Sequence, residues 1–597
     1  MHIMKHIKLV AIASLFAVTA GFYSCDLEEY NPSGATSDVV FSTPEGINAL
    51  ANSIYYNYRW KYYGREDPVL YMEGGTDLWH NFNLTSYGNQ FTQYLNLDWT
   101  QGQTRTLWER QYDVINLCNT GINRIASVDY QNPDEKKYRE GEFRFMRAYS
   151  YWWLVEFFGD VVMRTEETST PELYAYRTPA ATIYDEVIIP DLQKACELLL
   201  DEPIDGMHGR VTRKAAYGAL ARIALTRAAY GDANTYYDMA LKAAKFVIDN
   251  QTAMGVKLYD NYADVFNPDN NKNNREALYV VTYSTVAAYN PDGNPNRLFR
   301  YFNPAYNEVC GMTQDIMYGN SPNKNGNSTM SLMPTRHLLT LFHEGDLRYD
   351  ASFREAFALN TNAWTWDEEM VGIFKKPASF EGNVTIQRGD TALFFTRQVI
   401  SQTEKDKAPY AIVDLNMVYN ATTGGIHAKA DGSAAEVFSR FFPRLEKYND
   451  NKRASATVAS SNDVIVIRLA EVYLAAAEAA MMLGQNGEAA GYITTLRQRA
   501  VRPGFEAQMA VTAANMNIDF ILDERARELC GEHIRWFDLK RTGKLLEYVN
   551  KYNPNITAIR DFHVLRPIPQ AFLQSILNAS EFGQNGPATG GYTWPTN

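Results

Sequence analysis

Aromatic residues flanked by amide and carboxylate side chains are the part of this chain best suited to binding chemistry. Trp79 stands in Trp79-His80-Asn81-Phe82-Asn83, and three further rings lie far along the chain, at Tyr289, Tyr301 and Trp364. A sugar stacks its apolar C–H face on a flat ring while its hydroxyls bond to amides. Covering about 50 Å² of that face contributes ~1 kcal/mol per ring at ~25 cal/mol per Å². We therefore predict these four residues as ligand contacts, with packing in a core as the alternative for each.

The sequence offers little for catalysis. It contains no GxSxG, GxxxxGK[ST] or HExxH motif. His337 and His343 are six residues apart, which fits no zinc spacing. Carboxylate pairs such as Glu73 and Asp77 could in principle serve glycoside hydrolysis, but a chain of this size offers many such pairs. We expect no catalytic residues, no cofactor and no metal site.

The N-terminus has the layout of a secretory signal. Lys5 and Lys8 precede a charge-free apolar run from Leu9 to Ala20, which is shorter than the ~20 residues of a membrane-spanning helix. Cys25 follows closely and predicts a lipoprotein signal peptide over 1–24, with Cys25 as the lipidated N-terminus. The alternative is ordinary secretion with an incidental thiol. Residues 25–43 then form a flexible acidic tether, either a surface-export signal or a solvated linker.

Four cysteines remain if Cys25 is lipidated, namely Cys118, Cys196, Cys310 and Cys530. They form no CxxC pair and have no neighbouring histidine at metal spacing. We expect them to be small buried apolar residues rather than ligands. The net charge of −12 and the absence of a basic run argue against a nucleic-acid partner.

The apolar spacing predicts a mostly α protein with a long irregular middle. Thr43-Pro44-Glu45 is typical of a helix start, and amphipathic segments follow at about 104–126, 136–158, 181–200, 212–230, 233–250, 463–483, 487–500 and 516–530. Short strands are predicted at Ala277–Tyr283 and Asp463–Ile467. Residues 142–160 are apolar nearly all round, so we predict a buried central helix with Trp152 and Trp153 in the core. Arg144 and Arg147 should pair with buried carboxylates or helix-end carbonyls.

Two helix pairs look alike although they are far apart. Leu220–Leu225 parallels Leu469–Leu474, and each is followed by a glycine break, Gly231 or Gly484, and a second alanine-rich helix. Small residues of this kind let paired helices approach closely, as in tetratricopeptide-type stacks. We predict one helical scaffold over about 44–254 and 461–545, interrupted by a loop-rich, ligand-facing insertion at about 255–460 and followed by an irregular end at 546–597.

Several segments form a recognisable series along nearly the whole mature chain. They are Phe145–Tyr149 running to Leu154–Asp160, Arg213–Ala221, Arg468–Leu474, Glu524–Leu529 leading to Arg535–Arg541, and Leu565–Pro569. In this order they resemble the SusD/RagB family. The resemblance implies a SusD-like superhelix of tetratricopeptide-like units. It also implies a non-catalytic lipoprotein on the surface of the outer membrane that captures oligosaccharides and delivers them to a SusC-type TonB-dependent transporter.

The family resemblance leaves the cargo open. Of the candidate contacts it carries over only Trp79, in an early loop where related proteins often place an aromatic residue. A peptide or another nutrient is the alternative cargo for the same role, and a surface glycoside hydrolase is a further alternative of a different class.

Overall fold

The computed structural model describes residues 36–586, apart from 60–62, 82–87, 169, 290–292, 294–295, 313–331, 428–437, 451 and 455–457. Cys25 and the signal peptide lie outside the described residues. The described chain is mainly helical with short strands, which confirms the predicted mostly α fold class. Among these residues no helix is both long enough and apolar enough to cross a membrane.

The helices account for most of the regular structure. In chain order they are α1 Ser37–Val40, α2 Pro44–Asn57, α3 Glu66–Met72, α4 Asn89–Thr92, α5 Gly102–Ile125, α6 Pro133–Phe158, α7 Ala180–Ile183, α8 Ile189–Leu198, α9 Arg213–Arg227, α10 Ala233–Asp249, α11 Arg336–Thr340, α12 Leu347–Ser352, α13 Glu368–Phe374, α14 Gln402–Lys407, α15 Leu415–Val418, α16 Leu469–Met482, α17 Asn486–Gln498, α18 Ile518–Leu529, α19 Arg535–Arg541, α20 Leu545–Tyr552, α21 Gln570–Ser575 and α22 Ala579–Phe582. A π-helical turn, Tyr184–Ile188, joins α7 to α8.

The strands are short and pair locally. They are β1 Trp79–Asn81, β2 Ala277–Val281, β3 Leu332–Pro334, β4 Phe353–Arg354, β5 Ala356–Ala358, β6 Ala363–Thr365, β7 Thr385–Gln387, β8 Thr391–Phe395, β9 Ala411–Val413, β10 Arg444–Leu445 and β11 Val464–Arg468. The pairs are β1–β3, β4–β10, β2–β11 and β6–β7, and β5, β8 and β9 form a three-stranded sheet.

Local sequence signals set the start of α2 as predicted. The Thr43 hydroxyl accepts the Gly46 N–H at 3.2 Å, and Pro44 occupies the first turn of α2. Helix α1 falls inside the segment predicted as a tether, where Asp38 pairs with Arg124 at 2.8 Å. Helical structure therefore begins within that segment.

The two similar helix pairs pack into one scaffold. Helix α9 packs on α10, α16 packs on α17, and α10 packs on α16 across more than 200 residues of sequence. At Gly218 of α9 an added Cβ would lie 2.9 Å from Leu278 Cδ2 and 3.1 Å from Ile467 Cγ2. A glycine there lets the helix lie directly against the β2–β11 ladder.

The β2–β11 ladder brings together chain segments from near the two ends of the predicted insertion. Val464 lies opposite Val281, and Ile465 lies opposite Val280, in an antiparallel pair. Residues 464–468 form a strand and α16 begins only at Leu469, so the strand prediction there is confirmed and the helix is shorter than the amphipathic pattern suggested.

Helix α6 is the buried central helix that its composition predicts. Trp152 and Trp153 are both buried, and the Trp152 ring lies 4.6 Å from that of Phe537 between centroids. Arg147 Nε lies 2.7 Å from Asp191 Oδ2, and Arg144 Nη1 lies 2.9 Å from Asp191 Oδ1. The predicted pairing of these arginines with a buried carboxylate is confirmed.

The four cysteines of the described chain are buried and free. Cys118 lies in α5, Cys196 in α8, Cys310 in the irregular middle and Cys530 at the end of α18. Burial raises the pKa of the Cys530 thiol to about 11, which keeps it protonated at neutral pH. The thiols therefore behave as small core groups, as the sequence suggested.

Arg468, the last residue of β11, is fully buried among three carboxylates. Its guanidinium lies 2.7 Å from Glu276, 2.8 Å from Glu528 and 2.7 Å from Glu532. It also donates to the Glu528 carbonyl at 2.7 Å. One cation thus joins β11, the residue before β2, and the end of α18.

Two further arginines complete this ionic network. Arg499 lies 2.7 Å from Glu528, and Arg348 lies 3.0 Å from Glu528 and 2.9 Å from Glu524. Burial raises the pKa of Glu528, but Arg499, Arg468 and Arg348 outweigh it and lower that pKa to about 2. The carboxylate is therefore ionised at neutral pH, and each charge in the network is compensated within the protein.

Replacing Arg468 by glutamine should destabilise the protein strongly. It removes one cation from three buried carboxylates. Removing one partner of a buried ion pair costs about 3–5 kcal/mol. The control is Arg105→Gln, which breaks an exposed pair with Glu109 and should cost under about 0.5 kcal/mol. The free energies of urea unfolding measure both, and equal losses would contradict the network's role.

Four histidines are buried without a compensating charge strong enough to keep them protonated. Burial lowers the pKa of His80, His337, His533 and His563 to about 4 in each case. His337 stacks on the Tyr552 ring at 3.6 Å between centroids. These imidazoles are therefore neutral in the folded protein at neutral pH.

The folded protein should lose stability as the pH falls from about 6.5 to about 4. In that range the unfolded chain binds protons on these four histidines and the folded chain does not, so the free energy of unfolding falls with pH. Glu73, Asp113 and Asp523 act in the opposite direction, since burial raises their pKa, to about 7 for Glu73, but they are three groups against four. Urea unfolding from pH 7 to pH 4.5 measures the slope, and a stability that is constant or rises on acidification would contradict it.

Candidate functional site

Two of the four predicted ligand contacts are buried. Trp79 is 0% exposed on β1, opposite Pro334 of β3, and its ring lies 4.7 Å from that of Phe302. Tyr301 is 2% exposed. Neither ring presents a face to solvent, so a sugar cannot stack on it in this structure. Burial favours the alternative of core packing for these two residues.

The other two predicted contacts reach the surface in different places. Trp364 lies on the β6–β7 hairpin, is partly buried, and packs on Trp366 with 5.0 Å between ring centroids. Tyr289 is 64% exposed. Of the predicted set, Tyr289 lines a cleft that has a volume of ≈ 630 Å³.

Tyrosines dominate the walls of this cleft, which we call the tyrosine cleft. Its lining includes Tyr55, Tyr56, Tyr58, Tyr279, Tyr283 and Tyr289. The Tyr56 and Tyr289 rings are exposed, whereas Tyr58, Tyr279 and Tyr283 are buried wall residues. The cleft thus offers two accessible rings on a rigid aromatic base.

Three elements position these rings. The last turn of α2 supplies the first three tyrosines, and β2 with its extension supplies Tyr279 and Tyr283. The turn at residues 206–210 closes one side. Gly209 has φ +92° there, and an added Cβ would lie 2.3 Å from Thr282 Cγ2. Only glycine permits this close approach of the turn to the strand extension.

A buried carboxylate organises the polar side of the cleft. The Asp463 side chain is 0% exposed, accepts the Tyr283 N–H at 3.1 Å, lies 2.8 Å from His208 Nε2, and pairs with the Lys272 ammonium. Lys272 also donates to the Tyr283 carbonyl at 2.7 Å. Asp463 directly precedes β11, so the ladder that supports the scaffold also fixes this group.

A second buried carboxylate lies beneath the opposite wall. Glu142 accepts the Tyr55 hydroxyl at 2.7 Å and lies 2.9 Å from Arg210 Nη1. The Arg210 guanidinium stands 5.0 Å from the centroid of the Tyr55 ring and donates to Asn52. Burial, followed by the charge of Glu142, raises the pKa of Tyr55 well above its usual value, so this hydroxyl remains a donor.

Of the residues that line the tyrosine cleft, Tyr289 alone was predicted from the sequence as a ligand contact. Tyr55-Tyr56-Asn57-Tyr58-Arg59 is a dense aromatic run beside an amide and a cation, which is the composition we sought elsewhere. This run was not among the predicted ligand contacts. Its signal is that aromatic rings occupy neighbouring positions, and therefore several sides of the last helical turn.

Glu73 and Asp77 do not form a pair of carboxylates that a substrate could reach. Both residues are fully buried, Asp77 pairs with Arg535 at 2.6 Å, and Glu73 accepts the Ile534 N–H at 3.1 Å. A sugar cannot reach them in this structure. Within the described ranges no group of three or more His, Cys, Asp or Glu residues is placed to hold a metal ion.

Family models match most of the chain. The SusD family model matches residues 239–576, and a second model, described as starch-binding associating with outer membrane, matches residues 26–225. The chain therefore belongs to the SusD family, which confirms the resemblance in its sequence.

Known relatives agree with this assignment over most of their length. SusD-like protein P2 of Formosa agariphila is 24% identical over 597 residues, which cover 96% of this chain and 99% of that protein. Starch-binding protein SusD of Bacteroides thetaiotaomicron is 24% identical over 510 residues, covering 82% and 80%.

Solved structures share the fold. B. fragilis NanU superposes with a TM-score of 0.63 at 18% identity, covering 93% of this chain and 99% of that one. Surface glycan-binding protein A from Bacteroides fluxus gives 0.60 at 18% identity, covering 92% and 100%.

Trp79→Ala should destabilise the protein without weakening its ligand binding. Truncating a fully buried tryptophan leaves a cavity and costs about 3–5 kcal/mol, whereas Trp79→Phe should cost less because it keeps a ring. Denaturant unfolding measures the loss, and titration of the folded fraction with ligand measures affinity. A variant as stable as the parent that binds tenfold more weakly would restore Trp79 as a ligand contact.

Proposed function

We propose that this protein is a non-catalytic glycan-binding lipoprotein of the outer-membrane surface. It captures oligosaccharides in the tyrosine cleft and delivers them to a partner TonB-dependent transporter of the SusC type. Cys25 carries the lipid anchor. The observation that supports this most directly is the cleft itself, where exposed rings stand beside amide and cationic donors.

The dimensions and chemistry of the cleft suit a sugar chain. Its ≈ 630 Å³ lies within the range of about 300–1,000 Å³ that is usual for small-molecule sites. Tyr289 and Tyr56 offer flat faces for stacking, and Asn52, Lys272 and His208 offer polar atoms for hydroxyls. Starch-binding protein SusD and surface glycan-binding protein A, two relatives named above, are glycan binders by name.

Capture without bond cleavage is consistent with the polar groups of the cleft. Asp463 and Glu142, two carboxylates close to it, are buried and engaged by cations or hydroxyls. A glycosidase needs two carboxyl groups flanking the scissile bond. Contact energy alone then holds the cargo, which suits a protein that must release it to a transporter.

Tyr289→Ala should weaken glycan binding about fivefold, because it removes one stacking face worth ~1 kcal/mol. Affinity electrophoresis against a panel of polysaccharides measures the effect. The control is Tyr176→Ala, which removes an equally exposed ring outside the cleft. Retention of full affinity by Tyr289→Ala, or retardation of the parent by no glycan, would contradict the proposal; release of reducing sugar would favour a hydrolase.

Cys25→Ser should abolish the lipid anchor. In the native cell, labelled fatty acid should enter the parent protein and not the variant, and only the parent should fractionate with the outer membrane. Incorporation of label into the variant, or membrane association without Cys25, would contradict the assignment of the lipidation site.

A further inference from the structure

The polar groups of the tyrosine cleft are arranged with hydrogen-bond donors toward solvent and a carboxylate behind them. The Lys272 and His208 side chains are 47% and 51% exposed, whereas Asp463, which both contact, is 0% exposed. Its carboxylate also accepts the Tyr283 N–H at 3.1 Å. An approaching ligand therefore meets an ammonium and an imidazole, and not the carboxylate that balances them.

The opposite wall holds a second carboxylate that is enclosed by donors. Glu142 is buried and engaged by Tyr55, Arg139 and Arg210, and Arg210 lines the cleft with a side chain that is 7% exposed. Neither buried carboxylate has an exposed face with which to repel an anion. The cleft surface thus carries donors and positive charge.

Arg59 adds a cation that no carboxylate of the described chain compensates. Its guanidinium lines the cleft and donates from Nη2 to the Tyr289 carbonyl, while its buried Nε has no hydrogen-bond partner. The Tyr283 hydroxyl donates to the Arg59 carbonyl at 3.0 Å, which fixes the backbone at this position. Arg59 therefore makes one side-chain hydrogen bond within the described chain, to the backbone of Tyr289.

We propose that the tyrosine cleft selects anionic glycans, whose carboxylate or sulfate groups bind Arg59 and Lys272 while their sugar faces stack on Tyr289. This inference rests on the proposed glycan-binding function and specifies its substrate class. A guanidinium binds planar oxyanions through paired N–H donors, and such charge-assisted bonds are roughly twice as strong as neutral ones.

The overall charge of the protein does not oppose this selection at close range. The chain carries a net charge of −12, which repels an anion at a distance. At physiological ionic strength, however, charges more than about 8 Å away are largely screened. The cations on the cleft wall therefore dominate once the ligand has entered, and they mark the cleft as a locally positive region on an acidic protein.

Matched probes that differ only in charge test the inference. One pair is oligogalacturonate and its fully methyl-esterified form, and the other is sulfated carrageenan oligosaccharide and its desulfated form. Isothermal titration should show the charged member of at least one pair binding about tenfold more tightly or better. The preferred pair identifies the oxyanion, and the preference should shrink between about 50 mM and 300 mM NaCl because of screening.

Arg59→Gln should lower the affinity ratio of charged to neutral probe about tenfold. No carboxylate among the described residues depends on Arg59 for its compensating charge. Lys272→Gln is less suitable because it would remove the cation that pairs with the buried Asp463. The control is Lys242→Gln, the same change of charge at a side chain that is 75% exposed on α10, and it should leave the ratio unchanged. An unchanged ratio in Arg59→Gln would overturn the assignment of this residue.

The outcomes separate this inference from the proposed function. Equal affinity for charged and neutral members of both pairs, with binding still weakened in Tyr289→Ala, would overturn the anionic preference and leave glycan capture intact. Binding of no probe in either pair and of no polysaccharide in the panel would overturn both.

Discussion

The buried ionic network around Arg468 and Glu528 is the constraint on which the rest of the structure depends. It joins β11, the residue that leads into β2, and the end of α18, which are far apart in sequence. Buried charges of this kind contribute little net stability compared with apolar packing, but each is costly to leave unpaired. The network therefore restricts how these elements can meet. It holds the β2–β11 ladder against the helix pairs in a single arrangement.

That arrangement allows the tyrosine cleft to form at the edge of the loop-rich middle of the chain. Strand β2 and its extension carry Tyr279 and Tyr283, and Asp463 lies immediately before β11. The ladder thus positions one side of the cleft. As in the core, hydrogen-bond donors enclose the carboxylates of the cleft. The difference is that the donors here also face solvent, through Lys272, His208 and Arg59. A rigid scaffold positions them before any ligand arrives, which lowers the entropic cost of binding.

The helices and the family could be predicted from the sequence, but most of the site could not. Periodicity and capping residues located α5, α6, α9 and α10 within a few residues, since these signals are local. The burial of Trp79 and Tyr301 could not be predicted, because amides beside an aromatic residue do not reveal whether a neighbouring strand covers it. Tyr55 and Arg59 were not predicted, because helical spacing does not show that the last turn of α2 lies at the edge of a cleft. Burial at these positions is decided by contacts between distant segments.

A crystal structure of the protein with a bound oligosaccharide tests the central claim most directly. The account predicts an intact sugar chain in the tyrosine cleft, with one ring stacked on Tyr289 and an oxyanion within about 3 Å of the Arg59 guanidinium or the Lys272 ammonium. A ligand bound on another surface, or a cleaved sugar in the density, would contradict it.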